Sequence, residues 1–281
     1  MASFGIVSQC ARQTVPHARR VGAATLIALL FAGPVLAGPM PAGAITDLRC
    51  RYGAALQPFL PVLPAARKVL QETGSVTIVA LGSSATAGSG ASATDKSYPA
   101  VLEAELKRRL PNAEVKVINK GVGGQSAYDM LLRMDADVIE EKPSIVIWQT
   151  VVNDVVRDVG EEKLAKILRK GIRKVHEAGI DMVVMDLQWL PREDRYPKYE
   201  GYRAVLTKTA QEHAVSIFPR YAMMRNWARS KQFSSEELVG MDGLHMVDSS
   251  YRCLAIRMAD GLVSGLTGEK SDFTDKPRST N

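Results

Sequence analysis

Two hundred and eighty-one residues, 46% of them hydrophobic and 23% charged, have an ordinary globular composition, which excludes disordered, collagen-like and coiled-coil architectures. The length suits one large domain or two small ones. The formal charge of +6 comes from 36 basic and 30 acidic residues with no run of Lys and Arg interleaved with aromatics, so nucleic acid is not an expected partner.

Arg12, Arg19 and Arg20 lie in an opening stretch that has no Asp or Glu before residue 38. An apolar run over 21–32 follows, then small-residue endings at 35–37 and 42–44, the three-part layout of a secretory signal peptide. Residues 1–37 are read as that signal, with cleavage as late as 44. Gly33, Pro34, Gly38, Pro39, Pro41 and Gly43 interrupt the uncharged stretch, which argues against a stable membrane span after cleavage. Export to the periplasm or medium is therefore expected, with a net charge of +3 left once the three arginines are removed. Cys10 would leave with the signal, making Cys50 and Cys253 a candidate disulfide in an oxidising compartment. Two separate buried thiols are the alternative.

A helix is predicted over 54–72. Beyond it, short β-branched runs at 76–81, 115–119, 145–149 and 182–186, with a weaker one at 215–218, alternate with amphipathic segments. Nearly continuous apolar runs of this kind fit strands buried on both faces. Helices are predicted at 98–110, 127–141, 161–178, 199–212, 221–229 and 249–264. The alternation implies one α/β domain over 45–266, doubly wound on a parallel sheet of about five strands. A polar tail, 267–281, closes the chain.

Ligands in such sheets bind beyond the carboxyl ends of the strands, so the residues there carry the functional signal. After the first strand comes Leu81-Gly82-Ser83-Ser84-Ala85-Thr86-Ala87-Gly88, where a serine hydroxyl can stand at a turn. After the second comes Asn119-Lys120-Gly121-Val122-Gly123-Gly124-Gln125-Ser126, where a glycine N–H is open to an oxyanion. Gln149-Thr150-Val151-Val152-Asn153-Asp154 follows the third and supplies a carboxamide donor and a carboxylate. Far downstream stands Met241-Asp242-Gly243-Leu244-His245. An Asp and a His three residues apart can share one turn, the carboxylate receiving Nδ1–H while Nε2 points away, which makes a general base with its orienting group. Each signal alone is weak: a glycine can serve a turn and Asn-Asp a helix cap. No Walker lysine is present, and no His or Cys cluster completes a metal site at Asp242 and His245.

Together, and in this order, the four segments resemble the blocks of the SGNH/GDSL hydrolase superfamily over roughly Val76 to Leu266, and the flanking text is similar to an exported bacterial lysophospholipase-like esterase branch. The resemblance implies a three-layer flavodoxin-like fold and a Ser84, His245, Asp242 triad that forms an acyl-enzyme. It also implies an oxyanion hole from the Ser84 and Gly124 N–H groups and the Asn153 side chain. No metal or organic cofactor is implied. The implied substrate is a carboxylic ester with its acyl group on carbohydrate, lipid or a small alcohol. Gln188 and Trp189, after the fourth strand, are candidate substrate contacts. Two positions depart from the family pattern. Ser83 stands where Asp is usual, and Val151 where Gly is usual. A β-branched residue at positive φ is strained, so Val151 is expected either to be extended or to have displaced its loop. Two alternatives stay open: an O-acyltransferase of envelope polysaccharide, and a catalytically weak or inactive polysaccharide-binding SGNH protein.

Overall fold

A computed structural model describes residues 49–51 and 56–268 of the chain. The signal-like segment 1–37, the later cleavage point at 44 and nearly all of the polar tail lie outside the described residues. Five strands, β1 Ser75–Gly82, β2 Glu114–Gly121, β3 Ile145–Gln149, β4 Asp181–Met185 and β5 Ser216–Phe218, form one all-parallel sheet in the order β2-β1-β3-β4-β5. The order reverses between β1 and β3, the switch point at which doubly wound sheets open a crevice. The sheet and its two covering layers make the three-layer α/β fold.

The helices are α1 Pro64–Thr73, α2 Ser84–Ala87, α3 Tyr98–Arg109, α4 Ala127–Leu132, α5 Val152–Val156, α6 Glu161–Glu177, α7 Tyr199–Glu212, α8 Arg220–Arg229, α9 Ser235–Leu238 and α10 Asp248–Thr267. Successive side chains of a strand face opposite sides of a sheet, and the core divides accordingly. Val76, Ile78 and Ala80 of β1 with Ile145 and Ile147 of β3 pack towards α1, α3, α8 and α10. Val79 and Leu81 with Val146 and Trp148 pack towards α4, α5, α6 and α7. β1, β3 and β4 are buried along almost their whole length. β2 is not: as an outer strand it buries only Val115 and leaves its other positions exposed or half-buried, so the expectation of burial on both faces fails there.

Two predicted helices are shortened. Over its described part, 56–72, the segment assigned to 54–72 becomes helical only at Pro64, because Pro58 and Pro61 cannot supply N–H groups to an earlier turn while Pro64 at the first helical position loses nothing. The segment assigned to 127–141 stops at Leu132 and resumes as a π-helical turn over Asp135–Ile139. Between them Arg133 donates from one guanidinium nitrogen to the Gly82 and Lys120 carbonyls, at 3.0 and 2.9 Å, tying this break to the ends of β1 and β2.

Cys50 and Cys253 are joined by a disulfide, with Cα atoms 4.8 Å apart. It fastens the start of the described chain to α10. Arg49 reinforces the junction by pairing with Glu237 at 2.8 Å and lying 4.1 Å over the Phe233 ring.

Candidate active site

β1 ends at Gly82, and the chain turns immediately into α2, whose first residue is Ser84. The turn is tight against its neighbour: a Cβ on Gly121, at the end of β2, would fall 2.1 Å from the Ala87 nitrogen. Only glycine therefore lets β2 end beside the serine turn. Ser84 N–H stands at the first helical position, where no preceding turn supplies an acceptor.

The residue before Ser84 is secured in a way the sequence did not announce. Ser83 is buried, and its N–H and Oγ both donate to Gln149 Oε1, at 3.1 and 3.2 Å; Thr86 Oγ1 donates to the same oxygen at 3.0 Å. One carboxamide oxygen at the end of β3 thus holds both sides of the serine turn. Thr86 is in turn 3.2 Å from the Tyr98 hydroxyl.

His245 Nε2 lies 2.8 Å from Ser84 Oγ, and His245 Nδ1 lies 2.5 Å from Asp242 Oδ2. The other Asp242 oxygen accepts the N–H groups of Leu244 and His245, both at 2.9 Å. Burial pushes the Asp242 carboxyl up, but the Leu244 N–H, the imidazole and the His245 N–H together outweigh it and hold the carboxyl below the usual range. Ser84, His245 and Asp242 are one hydrogen-bonded chain.

The strands on either side of β1, β2 and β3, lead into the two other segments that the sequence singled out. Gly124 has φ +76°, and a Cβ there would meet nothing within 4 Å, so its backbone is accessible. Asn153 Nδ2 donates to the Gln125 carbonyl at 2.9 Å, which leaves its second N–H for another acceptor. Asp154 Oδ2 accepts Ala127 N–H at 2.9 Å, and Arg157 donates to the Gly124 carbonyl at 2.6 Å. Three side chains of α5 and the residue after it therefore grip the backbone of residues 124–127. Asp154 is wholly buried and its Oδ1 has no hydrogen-bond partner. Burial pushes its carboxyl up to about 6, against the Ala127 hydrogen bond, its own backbone N–H and the Arg157 charge.

Val151 is not extended. It takes φ 81° and ψ −33°, with its side chain 1% exposed in the core beside Val152 and Val155. The chain accepts positive φ at a β-branched residue because the isopropyl group is buried and the following α5 is anchored to residues 124–127.

Gln188 and Trp189 follow β4, as their sequence positions require, but they differ in access. Gln188 is buried, with Nε2 donating to the Leu244 carbonyl at 3.2 Å. Its amide donor is committed to the histidine loop instead of facing the crevice. Trp189 is half-buried and packs against both sides of the core. Trp148 and Trp227 are core residues with no exposure. Met223, Met224 and Met246 are buried, whereas Met241 is fully exposed beside Asp242. Among the described residues no His, Cys, Asp and Glu group of three or more could hold a metal ion, and no helix is long and apolar enough to cross a membrane.

Comparison with known proteins gives a match of residues 49–268 to the model of the Non-GDSL lipase-like family. Esterase TesA of Pseudomonas aeruginosa is 23% identical over 186 residues, covering 66% of this chain and 84% of that protein. Among solved structures, the acetyl xylan esterase AlAXEase aligns with a TM-score of 0.57 at 21% identity, over 65% of this chain and 98% of its own. A two-domain esterase active on acetylated mannans aligns with a TM-score of 0.61 at 21% identity, over 78% of this chain and 57% of its own.

Proposed function

This chain belongs to the Non-GDSL lipase-like family, within the SGNH hydrolases that act on ester bonds, and on that premise we propose that it is an exported serine esterase removing O-acyl groups from a carbohydrate or lipid. The observation that carries this reading is the hydrogen-bonded order Ser84, His245, Asp242 at 2.8 and 2.5 Å. It also weighs against a binding protein that has lost the reaction.

His245 Nε2 takes the Ser84 proton as Oγ attacks the ester carbonyl, while Asp242 keeps the imidazole in the tautomer that leaves Nε2 free to accept and stabilises the imidazolium that forms. The developing oxyanion is received by Ser84 N–H, Gly124 N–H and the free N–H of Asn153. Loss of one such donor typically lowers the rate on the order of 10²–10³-fold. The imidazolium then protonates the leaving alcohol, and water, deprotonated by His245, hydrolyses the acyl-enzyme.

The test is hydrolysis of p-nitrophenyl acetate, butyrate and octanoate by the purified protein beside Ser84→Ala. The expected result is hydrolysis by the wild type and a loss of about 10³-fold or more in the variant. Unchanged activity in Ser84→Ala would overturn the assignment. The ranking of the three acyl lengths identifies the acyl group that the site prefers.

A further inference from the structure

His245 reaches Ser84 from a segment that belongs to no strand of the sheet. That segment is supported locally by Gly240 N–H on the His245 carbonyl at 2.8 Å, by the Val239–Met246 bridge and by Gln188. Three further contacts tie it directly to the chain beyond the serine turn, and all three come from residues 88–97, which follow α2. Gly90, at φ +88°, is packed so closely that a Cβ would fall 2.1 Å from the Met246 carbonyl oxygen and 3.1 Å from His245 Cβ. The Tyr251 hydroxyl donates to the Ser89 carbonyl at 2.7 Å. Asp248, the first residue of α10, accepts Ser92 N–H on one oxygen at 2.7 Å and Ser92 Oγ–H on the other at 2.6 Å. Lys96 closes this group, 3.1 Å from the carboxylate and donating to Ser92 Oγ at 2.8 Å.

We propose that Asp248 is a positioning residue whose two-oxygen grip on Ser92 sets the separation of His245 Nε2 from Ser84 Oγ. The inference rests on the reading of Ser84 as nucleophile and His245 as its base. Asp248 hydrogen-bonds to Ser92 and pairs with Lys96, not with either of these, and acts by joining the loop that follows one to the helix that follows the other. The loop it holds contains Gly88 and Gly90 at positive φ, and hydrogen bonds to a carboxylate are among the stronger ones. Proton transfer requires the base within about 2.6–3.2 Å of the hydroxyl. A displacement of about 1 Å can cost on the order of 10²-fold in rate.

The experiment compares Asp248→Asn, Ser92→Ala and the double variant with the wild type and with Ser84→Ala. The readouts are kcat and KM on p-nitrophenyl butyrate, normalised to titrated active sites, the rate of Ser84 phosphonylation by a fluorophosphonate, and Tm. Asp248→Asn is expected to lower kcat about 10-fold, part of the cost of a 1 Å misplacement, with KM little changed and phosphonylation slowed by the same factor. Ser92→Ala leaves the Asp248 charge at the head of α10 but removes one bond of the grip, so it is expected to lower kcat less. The double variant is expected to be no slower than Asp248→Asn, because both changes break one contact. A purely structural Asp248 would lower Tm and leave kcat per titrated site unchanged, and that result overturns the inference. If Ser84→Ala is inactive while Asp248→Asn and Ser92→Ala match the wild type, the inference alone falls. If Ser84→Ala stays active, the nucleophile assignment falls with it.

Discussion

At Val151 the usual stability order of alanine and glycine should collapse. The residue combines a left-handed backbone, φ 81° and ψ −33°, with a side chain only 1% exposed, so two effects of similar size oppose each other. Truncating a buried valine to alanine removes two carbons, worth about 2 kcal/mol with the cavity term, and truncating it to glycine removes three, worth about 3 kcal/mol. Glycine also costs roughly 0.5–1 kcal/mol through its freer unfolded chain. At an unstrained site Val151→Gly would therefore be less stable than Val151→Ala by about 1.5–2 kcal/mol. Positive φ costs a non-glycine residue on the order of 1–3 kcal/mol; glycine releases all of this, and alanine only the share due to β-branching. The two variants are then expected within about 1 kcal/mol of each other, both below the wild type by roughly 1–2 kcal/mol. Urea unfolding of all three proteins, compared at equal m-values, reads the difference directly. A Val151→Gly protein less stable than Val151→Ala by the full unstrained margin would refute the argument. Because Asn153, Asp154 and Arg157 all hold residues 124–127, Val151→Gly is also expected to keep kcat within about threefold, a change well below the loss of one oxyanion donor.

Two further outcomes concern stability. Asp154 has a folded-state carboxyl near 6 against an ordinary 3.8; between these values the native chain binds the proton that the unfolded chain has released, so the group's contribution to stability grows as pH falls from about 6 to 4. The change is on the order of 2–3 kcal/mol. Asp154→Asn should thus raise the urea midpoint relative to wild type at pH 8 and lose that advantage by pH 4; an advantage of equal size at both pH values would contradict the burial account. The Cys50–Cys253 disulfide closes a separation of 203 residues, and its reduction is expected to lower unfolding stability by roughly 2–5 kcal/mol. An unchanged urea midpoint in the presence of reductant, with both thiols alkylated, would count against the bridge.

The sheet was legible because its centre is built from residues that allow little else. Val146, Ile147 and Trp148 are apolar in succession and have no exposure in the structure, which is the pattern of a strand covered on both sides. Where periodicity misled, proline or a side-chain anchor had outweighed it: α1 waits for Pro64, and α4 ends where Arg133 reaches the Gly82 and Lys120 carbonyls. The meeting of Ser84, His245 and Asp242 was legible for a related reason. A parallel sheet brings the ends of β1, β2 and β3 together whatever the intervening helices contain, and the three-residue spacing of Asp242 and His245 needs only one turn.

What holds those side chains in place was less legible, and the difference is physical. Gln149 acts on the Ser83 N–H and two hydroxyls, Arg157 on the Gly124 carbonyl and Asp248 on the Ser92 N–H and hydroxyl. Several of these partners are backbone groups, which every residue possesses and which therefore leave no mark on the sequence. A glutamine at a strand end or an aspartate opening a helix reads as solvation or capping until the chain segment opposite it is known. Val151 illustrates the converse: its departure from glycine was visible at once, but its consequence depended on whether burial and the grip on residues 124–127 could offset the strain. Substitutions at reacting atoms can thus be judged from spacing, whereas those that set the distances between reacting atoms are judged from tertiary contacts. In this chain the second class includes Asp248, 156 residues from the Ser92 it holds.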